Sequence, residues 1–251
     1  MEKIIFITGA SSGIGEACAR LFAKNNYKLI LNARRLERLE VLKSDLEKNY
    51  GSEVLLLPFD VRERDAVKTA IESIPDEWKK IDILVNNAGL AMGLAPIESG
   101  NMDHWDTMID TNIKGLLYVT RNVVPLMIAN KTGHIVNIGS IAGKEIYSMG
   151  NVYCSTKHAV DALNRSMRLD LVKYPIKVSA VNPGAVETEF SLVRFEGDSE
   201  RAEKVYEGFE NLVADDIADA INWIVTRPAH VNINDLIIMP VAQPMAGMII
   251  R

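Results

Sequence analysis

The sequence is poor in several features that would each fix a class. Only two of its 251 residues are cysteine, Cys18 and Cys154, and they form no C-x-x-C pair. That excludes a disulfide scaffold, fits a reducing compartment and leaves both thiols as small packing residues. The four histidines, His104, His134, His158 and His230, share no ligand spacing, so no metal is expected. The formal net charge is −5, the pI is near 5.5 and basic runs are absent, which excludes a field for a nucleic-acid backbone. No stretch approaches the roughly 20 apolar residues of a membrane span. The apolar run Ile4-Ile5-Phe6-Ile7 is shorter than the roughly 7–15 residues of a secretion-signal core. A soluble, cytoplasmic protein without nucleic-acid or membrane partners is the expectation.

What the chain does have is an ordinary globular composition, 48% hydrophobic and 24% charged, arranged in a repeating order. Short, largely apolar runs at 3–8, 28–33, 53–59, 82–86, 133–139, 176–182 and 235–239 read as strands. Segments with helical spacing lie near 14–26, 35–49, 63–73, 102–129, 152–173, 199–211 and 214–227. This alternation is the pattern of βαβ units on a parallel sheet covered on both faces. With no linker or repeat to divide it, the whole of 1–251 is expected to be one α/β, doubly wound domain with a seven-stranded parallel sheet. The apolar residues of 102–129 and 152–173, and Met245, Met248, Ile249 and Ile250 after Pro244, exceed what one sheet needs and suggest subunit contacts.

The first strand runs into Thr8-Gly9-Ala10-Ser11-Ser12-Gly13-Ile14-Gly15 and then a helix, a variant of the Rossmann dinucleotide fingerprint. Gly9 permits the tight turn, Gly13 lets the backbone approach a pyrophosphate and Gly15 lets helix and strand pack closely, with the helix amides facing the phosphates. The second strand ends in Asn32-Ala33-Arg34-Arg35, where NAD-binding chains place a carboxylate. Two guanidiniums there suit a 2′-phosphate, and NADP is expected over NAD. Asp60-Val61 ends the third strand, where it could meet an adenine ring; Asp60 as the N-cap of the next helix is an equal alternative.

Asn86-Asn87-Ala88-Gly89 and Ser140 follow the fourth and fifth strands, at the carboxyl edge where open α/β sheets bind ligands. Tyr153 and Lys157, at i and i+4 of a helix, share one face. A tyrosine titrates near 10, so a base at neutral pH needs nearby positive charge, the role this spacing offers Lys157.

Thr8-Gly9-x-x-x-Gly13-x-Gly15, Asn86-Asn87-Ala88-Gly89, Asn112, Ser140, Tyr153-x-x-x-Lys157 and Pro183-Gly184 together resemble the short-chain dehydrogenase/reductase family over essentially the full chain. Segments 106–115, 190–195 and 228–234 look like its NADP-dependent 3-hydroxy acid (serine or allo-threonine) dehydrogenase subgroup. The resemblance implies Tyr153 as the proton-transferring group, Ser140 on the substrate oxygen, Lys157 on the nicotinamide ribose and Asn112 in a proton relay. It also implies cofactor contacts at Thr8, Gly9, Ser11, Ser12, Gly13, Ile14, Gly15, Asn87, Ala88, Gly89, Pro183, Gly184, Val186 and Thr188, and a homotetramer. A lid is expected over 185–211, with Phe190, Leu192, Val193 and Phe195 covering the nicotinamide. Arg194 is there a candidate partner for a substrate carboxylate, a surface arginine being the alternative. A short 3-hydroxy acid, such as serine, allo-threonine or 3-hydroxypropionate, is the expected substrate. A 3-oxoacyl or general carbonyl reductase, and a non-catalytic NADP-sensing protein, are the competing readings.

Overall fold

The computed structural model describes residues 2–251. Its strands are β1 (Ile4–Thr8), β2 (Lys28–Asn32), β3 (Val54–Leu56), β4 (Ile81–Asn86), β5 (Gly133–Ile138), β6 (Ile176–Pro183), β7 (Val186–Glu187), β8 (Leu212–Val213) and β9 (Asp235–Ile238). Seven of them form one sheet in the order β3-β2-β1-β4-β5-β6-β9, parallel throughout. The helices are α1 (Gly13–Lys24), α2 (Leu36–Tyr50), α3 (Arg64–Glu72), α4 (Met102–Ile109), α5 (Leu116–Asn130), α6 (Asn151–Leu171), α7 (Phe190–Arg194), α8 (Ser199–Lys204) and α9 (Ala214–Val225).

Alternation along β1 explains the two layers. Ile5 and Ile7 point to one face and pack with Phe22 of α1, Leu39 of α2 and Ile221 of α9. Ile4 and Phe6 point to the other and pack with Val67 of α3, Val123 of α5 and Met167 of α6. Burial on both faces is why these strands are largely apolar. Because β2 and β3 lie on one side of β1 and β4 on the other, the chain reverses its winding beside β1. A crevice therefore opens beyond Thr8 and Asn86, where such folds bind ligands.

Four departures from the sequence pattern bear on function. The segment 102–129 is not one helix: a π turn, Asp110–Gly115, separates α4 from α5. Segment 199–211 is helical only to Lys204, while α7 and the small β7–β8 sheet arise within 186–213, too short to leave a periodic signal. β3 stops at Leu56; the Leu57 N–H still donates to the Leu31 carbonyl at 2.9 Å, and beyond it the Asn32 amide takes over the chain, donating to the carbonyls of Leu57 and Phe59 at 3.0 and 2.9 Å. Finally, most of the apolar surplus of α5 and α6 is internal. Leu116, Val123, Val160, Met167 and Leu171 are buried, and Leu117, Leu169 and Val172 are exposed. Cys18 and Cys154 are buried free thiols, and burial pushes Cys18 up to about 12.

His134 is enclosed between β5 and β6, its Nε2 2.8 Å from the Ser179 hydroxyl and its Nδ1 buried without a partner. Burial, with Lys177 and Lys3 nearby, holds it down at about 3. The unfolded chain therefore binds a proton that the folded chain refuses, so stability falls as pH drops from about 6.5 toward 3. Urea titrations should show His134 alone removing roughly 2 kcal/mol between pH 7 and pH 5. His134→Gln should lose most of that dependence; an unchanged difference would exclude His134 as its source.

Candidate active site

The ends of β1 and β4 are tied together. The Thr8 hydroxyl accepts from the backbone N–H groups of Asn87 and Ala88, both at 3.0 Å, and donates to the Val85 carbonyl. The Asn87 amide returns two bonds, to the carbonyls of Thr8 (2.9 Å) and Gly9 (3.1 Å). Gly9 sits at φ +67°, a region costly for a side chain. A Cβ on Gly15 would lie 2.3 Å from the Gly9 carbonyl oxygen and 2.6 Å from the Asn87 amide nitrogen, so α1 reaches this turn only because residue 15 has none. Ser12, the N-cap of α1, makes no side-chain capping bond, and the first amides of α1 stay available to an anion.

Beyond this knot lies a cavity of about 500 Å³ that runs from α2 to α7. One end is lined by Ser11, Ser12, Arg34, Arg35, Asp60 and Val61. Arg34 is mostly exposed, 3.9 Å from the Asp60 carboxylate. Asp60 caps nothing: Glu63 is the N-cap of α3, and Asp60 instead binds Arg62 through its side chain and backbone. Arg62 hydrogen bonds outweigh burial and hold the Asp60 carboxyl below its usual range. Arg35 donates to the hydroxyls of Ser11 and Ser12, at 3.1 and 3.3 Å. Ile14, Asn87, Ala88, Gly89, Pro183, Gly184, Val186 and Thr188 also line the cavity. Thr8, Gly15 and Asn112 do not; each supports the wall from behind. These residues fit a dinucleotide with a phosphate on its adenosine ribose, because glycines open the pyrophosphate turn and guanidinium and hydroxyl groups meet at the α2 end.

The other end holds Ser140, Tyr153 and Lys157. Ser140, leaving β5, accepts from the Ala142 N–H at 3.1 Å and hydrogen-bonds Tyr153. Lys157 is buried one helical turn from Tyr153, its Nζ 6.0 Å from the phenol ring and 2.9 Å from the Ile138 carbonyl. Burial lowers Lys157 to about 8. The i, i+4 spacing leads one to expect Lys157 to draw Tyr153 toward phenolate, but among the protein's own groups burial wins and raises the phenol. Arg194 and the Ser140 hydrogen bond oppose that rise. The π turn explains Asn112. Its side chain accepts from the Leu90 N–H (2.9 Å) and donates to the Leu90 carbonyl (2.8 Å) and to Thr156 (3.0 Å). It thereby pins the strand-end loop to α6, a use typical of such turns.

Arg194 is not a surface arginine. Its guanidinium lies 5.0 Å from the Tyr153 ring and 5.3 Å from that of Phe190, donates to the Tyr147 hydroxyl at 2.6 Å, and keeps a buried Nε with no partner. Of the expected nicotinamide cover, Phe190 and Val193 line the cavity, whereas Leu192 does not and Phe195 stacks on Arg201. Tyr147, Glu189, Tyr206 and Gln243 are lining residues that the sequence does not single out, since none lies in a motif or at a periodic position. Part of the tail read as a subunit contact turns inward: Ala246, Gly247 and Ile249 line the cavity, and Met245, Met248 and Ile250 stay exposed.

The family model described as short chain dehydrogenase matches residues 3–198. The chain belongs to the short-chain dehydrogenase family. It is 48% identical to the NADP-dependent 3-hydroxy acid dehydrogenase YdfG of Salmonella typhi, over 98% of each chain. It is 44% identical to a serine 3-dehydrogenase of Rhizobium radiobacter, over 98% of this chain and 97% of that one. Among solved structures, the closed form of a serine dehydrogenase complexed with NADP+ superposes with a TM-score of 0.92, at 45% identity and covering 99% of both chains. Among the described residues no helix is long and apolar enough to cross a membrane.

Gly15→Ala tests the packing of the family turn directly. Forcing a methyl against Gly9 and Asn87 should lower Tm by roughly 2–10 °C and weaken dinucleotide binding together. A variant with unchanged melting and binding would show that the turn has room to spare.

Proposed function

We propose that the chain is an NADP-dependent oxidoreductase that moves a hydride between NADP(H) and the 3-hydroxyl or 3-carbonyl carbon of a short 3-hydroxy acid such as serine, allo-threonine or 3-hydroxypropionate. The observation that carries this is Arg194, a half-buried cation beside Tyr153 whose Nε has no partner among the described residues. A buried, unmatched donor at a reacting tyrosine favours an acid over a neutral substrate, because a carboxylate satisfies it. The identities with the 3-hydroxy acid and serine dehydrogenases support the same reading.

In this reading Ser11, Ser12, Arg34 and Arg35 take the 2′-phosphate, and Gly9, Gly13, Ile14, Thr188 and the start of α1 take the pyrophosphate. Asp60 and Val61 meet the adenine, and Asn87, Ala88, Gly89, Pro183, Gly184 and Val186 flank the cofactor toward its nicotinamide. NADP supplies the hydride acceptor when bound. Ser140 hydrogen-bonds the substrate oxygen, Tyr153 takes its proton in oxidation and returns it in reduction, and Lys157 holds the ribose and supplies positive charge. That charge is lost as pH rises through about 8. Asn112 orders the route by which the proton reaches solvent. Residues 185–211 act as the lid of a single domain, with Tyr147 fixing Arg194 toward the substrate. The exposed Leu117, Leu169, Val172, Met245, Met248 and Ile250 are covered in a cytoplasmic homotetramer.

The test follows NADPH absorbance over a panel of short hydroxy acids and neutral ketones, with NAD(H) in parallel. Short 3-hydroxy acids with NADP should turn over best; preference for bulky neutral ketones would favour a general carbonyl reductase. Tyr153→Phe should abolish turnover while NADPH still binds, and retained turnover would remove Tyr153 from the chemistry. Arg194→Ala should raise KM for the acids roughly 10- to 100-fold while sparing neutral carbonyls. Equal losses on both would mean that Arg194 only shapes the lid.

A further inference from the structure

Glu189 opens the lid, immediately before α7, yet its carboxylate reaches back across the cavity mouth to α2. One oxygen lies 2.7 Å from Arg38 and the other 3.3 Å from Arg35. Arg35 makes all three of its contacts, to Ser11, Ser12 and Glu189, through the single nitrogen Nη2. A guanidinium is planar and carries five donors, so anchoring its Nη2 group restrains the side chain and leaves the Nε and Nη1 N–H groups to bind a further acceptor. Arg35 and Glu189 both line the cavity; Arg38 does not, and holds the carboxylate from outside. Thr188, Phe190, Val193 and Arg194 of the same segment line the cavity with Glu189, so this contact is made with the lid lying over the cleft. Next to Glu189, the Thr188 side chain lies against Gly13 of the phosphate turn, where an added Cβ would stand 3.2 Å from it.

We infer that Glu189 is a positioning residue for cofactor discrimination: its carboxylate, held by Arg38, orients Arg35 to receive the 2′-phosphate and joins that recognition to the closed lid. The inference rests on the NADP reading above. Glu189 touches no reacting atom; it acts through Arg35. A carboxylate close to a phosphate ordinarily repels it, and Arg34, Arg35, Arg38 and Arg62 outnumber Asp60 and Glu189, which keeps the local field positive. The Glu189 carboxyl is correspondingly held below its usual range, chiefly by its hydrogen bond from Arg38, so it is ionised at neutral pH.

Direct binding of NADPH and NADH, followed by their fluorescence, distinguishes this role from a simple latch. Glu189→Gln should weaken NADPH roughly three- to fivefold and leave NADH within twofold, the scale of a partly exposed ion pair. Glu189→Asp should restore part of the difference, and Arg38→Ala should reproduce the Glu189→Gln effect in the same direction. Equal weakening of both nucleotides would make Glu189 a lid latch only and overturn the inference. Tighter NADPH binding by Glu189→Gln would make it a competitor of the phosphate and also overturn it. A wild-type chain that binds both nucleotides alike overturns the NADP reading itself, and this inference with it; a wild-type preference whose size is unchanged in Glu189→Gln overturns this inference alone.

Discussion

The constraint on which the molecule depends is the contact between the ends of β1 and β4. Four hydrogen bonds between Thr8, Gly9, Asn87 and Ala88 hold those strand ends in register, and a missing Cβ at Gly15 lets α1 close over them. Everything the cavity needs follows from that junction. It sets the crevice at the reversal of winding, aims the start of α1 into it, and fixes Asn87-Ala88-Gly89 along its wall. Thr8 and Gly15 are withdrawn from the surface they help create, whereas Gly9, Asn87 and Ala88 line it.

The reacting end is organised differently, by burial rather than by backbone geometry. Tyr153 and Lys157 are both enclosed, and enclosure disfavours the charged form of each: the phenol rises and the ammonium falls to about 8. Burial therefore drives the two titrations apart and favours the neutral phenol and the neutral amine, so forming the phenolate here calls for a further positive charge in the site. The Arg194 guanidinium lies 5.0 Å from the same phenol ring and opposes its rise, so the two side chains share one electrostatic field.

Much of this was legible in the chain. The short, largely apolar runs locate every strand of the large sheet, because burial on both faces leaves a strong signal in each. The glycine turn, Ser140, Tyr153 and Lys157 could be read because their chemistry requires fixed residue types at fixed spacing. The π turn at Asp110–Gly115 could not, since its cause is the three bonds of Asn112 to distant Leu90 and Thr156 rather than local composition. Tyr147 and Glu189 were silent for a similar reason: each acquires its partner, Arg194 or Arg35 and Arg38, only after the chain has crossed the sheet. The tail was misread in part because exposed and cavity-lining apolar residues look alike in sequence, and Ile249 is the lining kind.

The order in which the chain builds the cavity has an evolutionary consequence. The α2 end of the cavity is lined chiefly by residues up to Val61 and the Tyr153 end chiefly by residues from Ser140 onward, and the strand-end loop Asn87-Ala88-Gly89 stands between them. A recombination crossover in the stretch between Gly89 and β5 would exchange one half of the ligand surface and leave the other intact, so nucleotide and substrate preferences can drift as separate modules. The lid contacts from Thr188 to Gly13 and from Glu189 to α2 are the exception. They bind the second module to the first, and chimaeras that mismatch those two positions would inherit both halves of the surface without the closure that joins them.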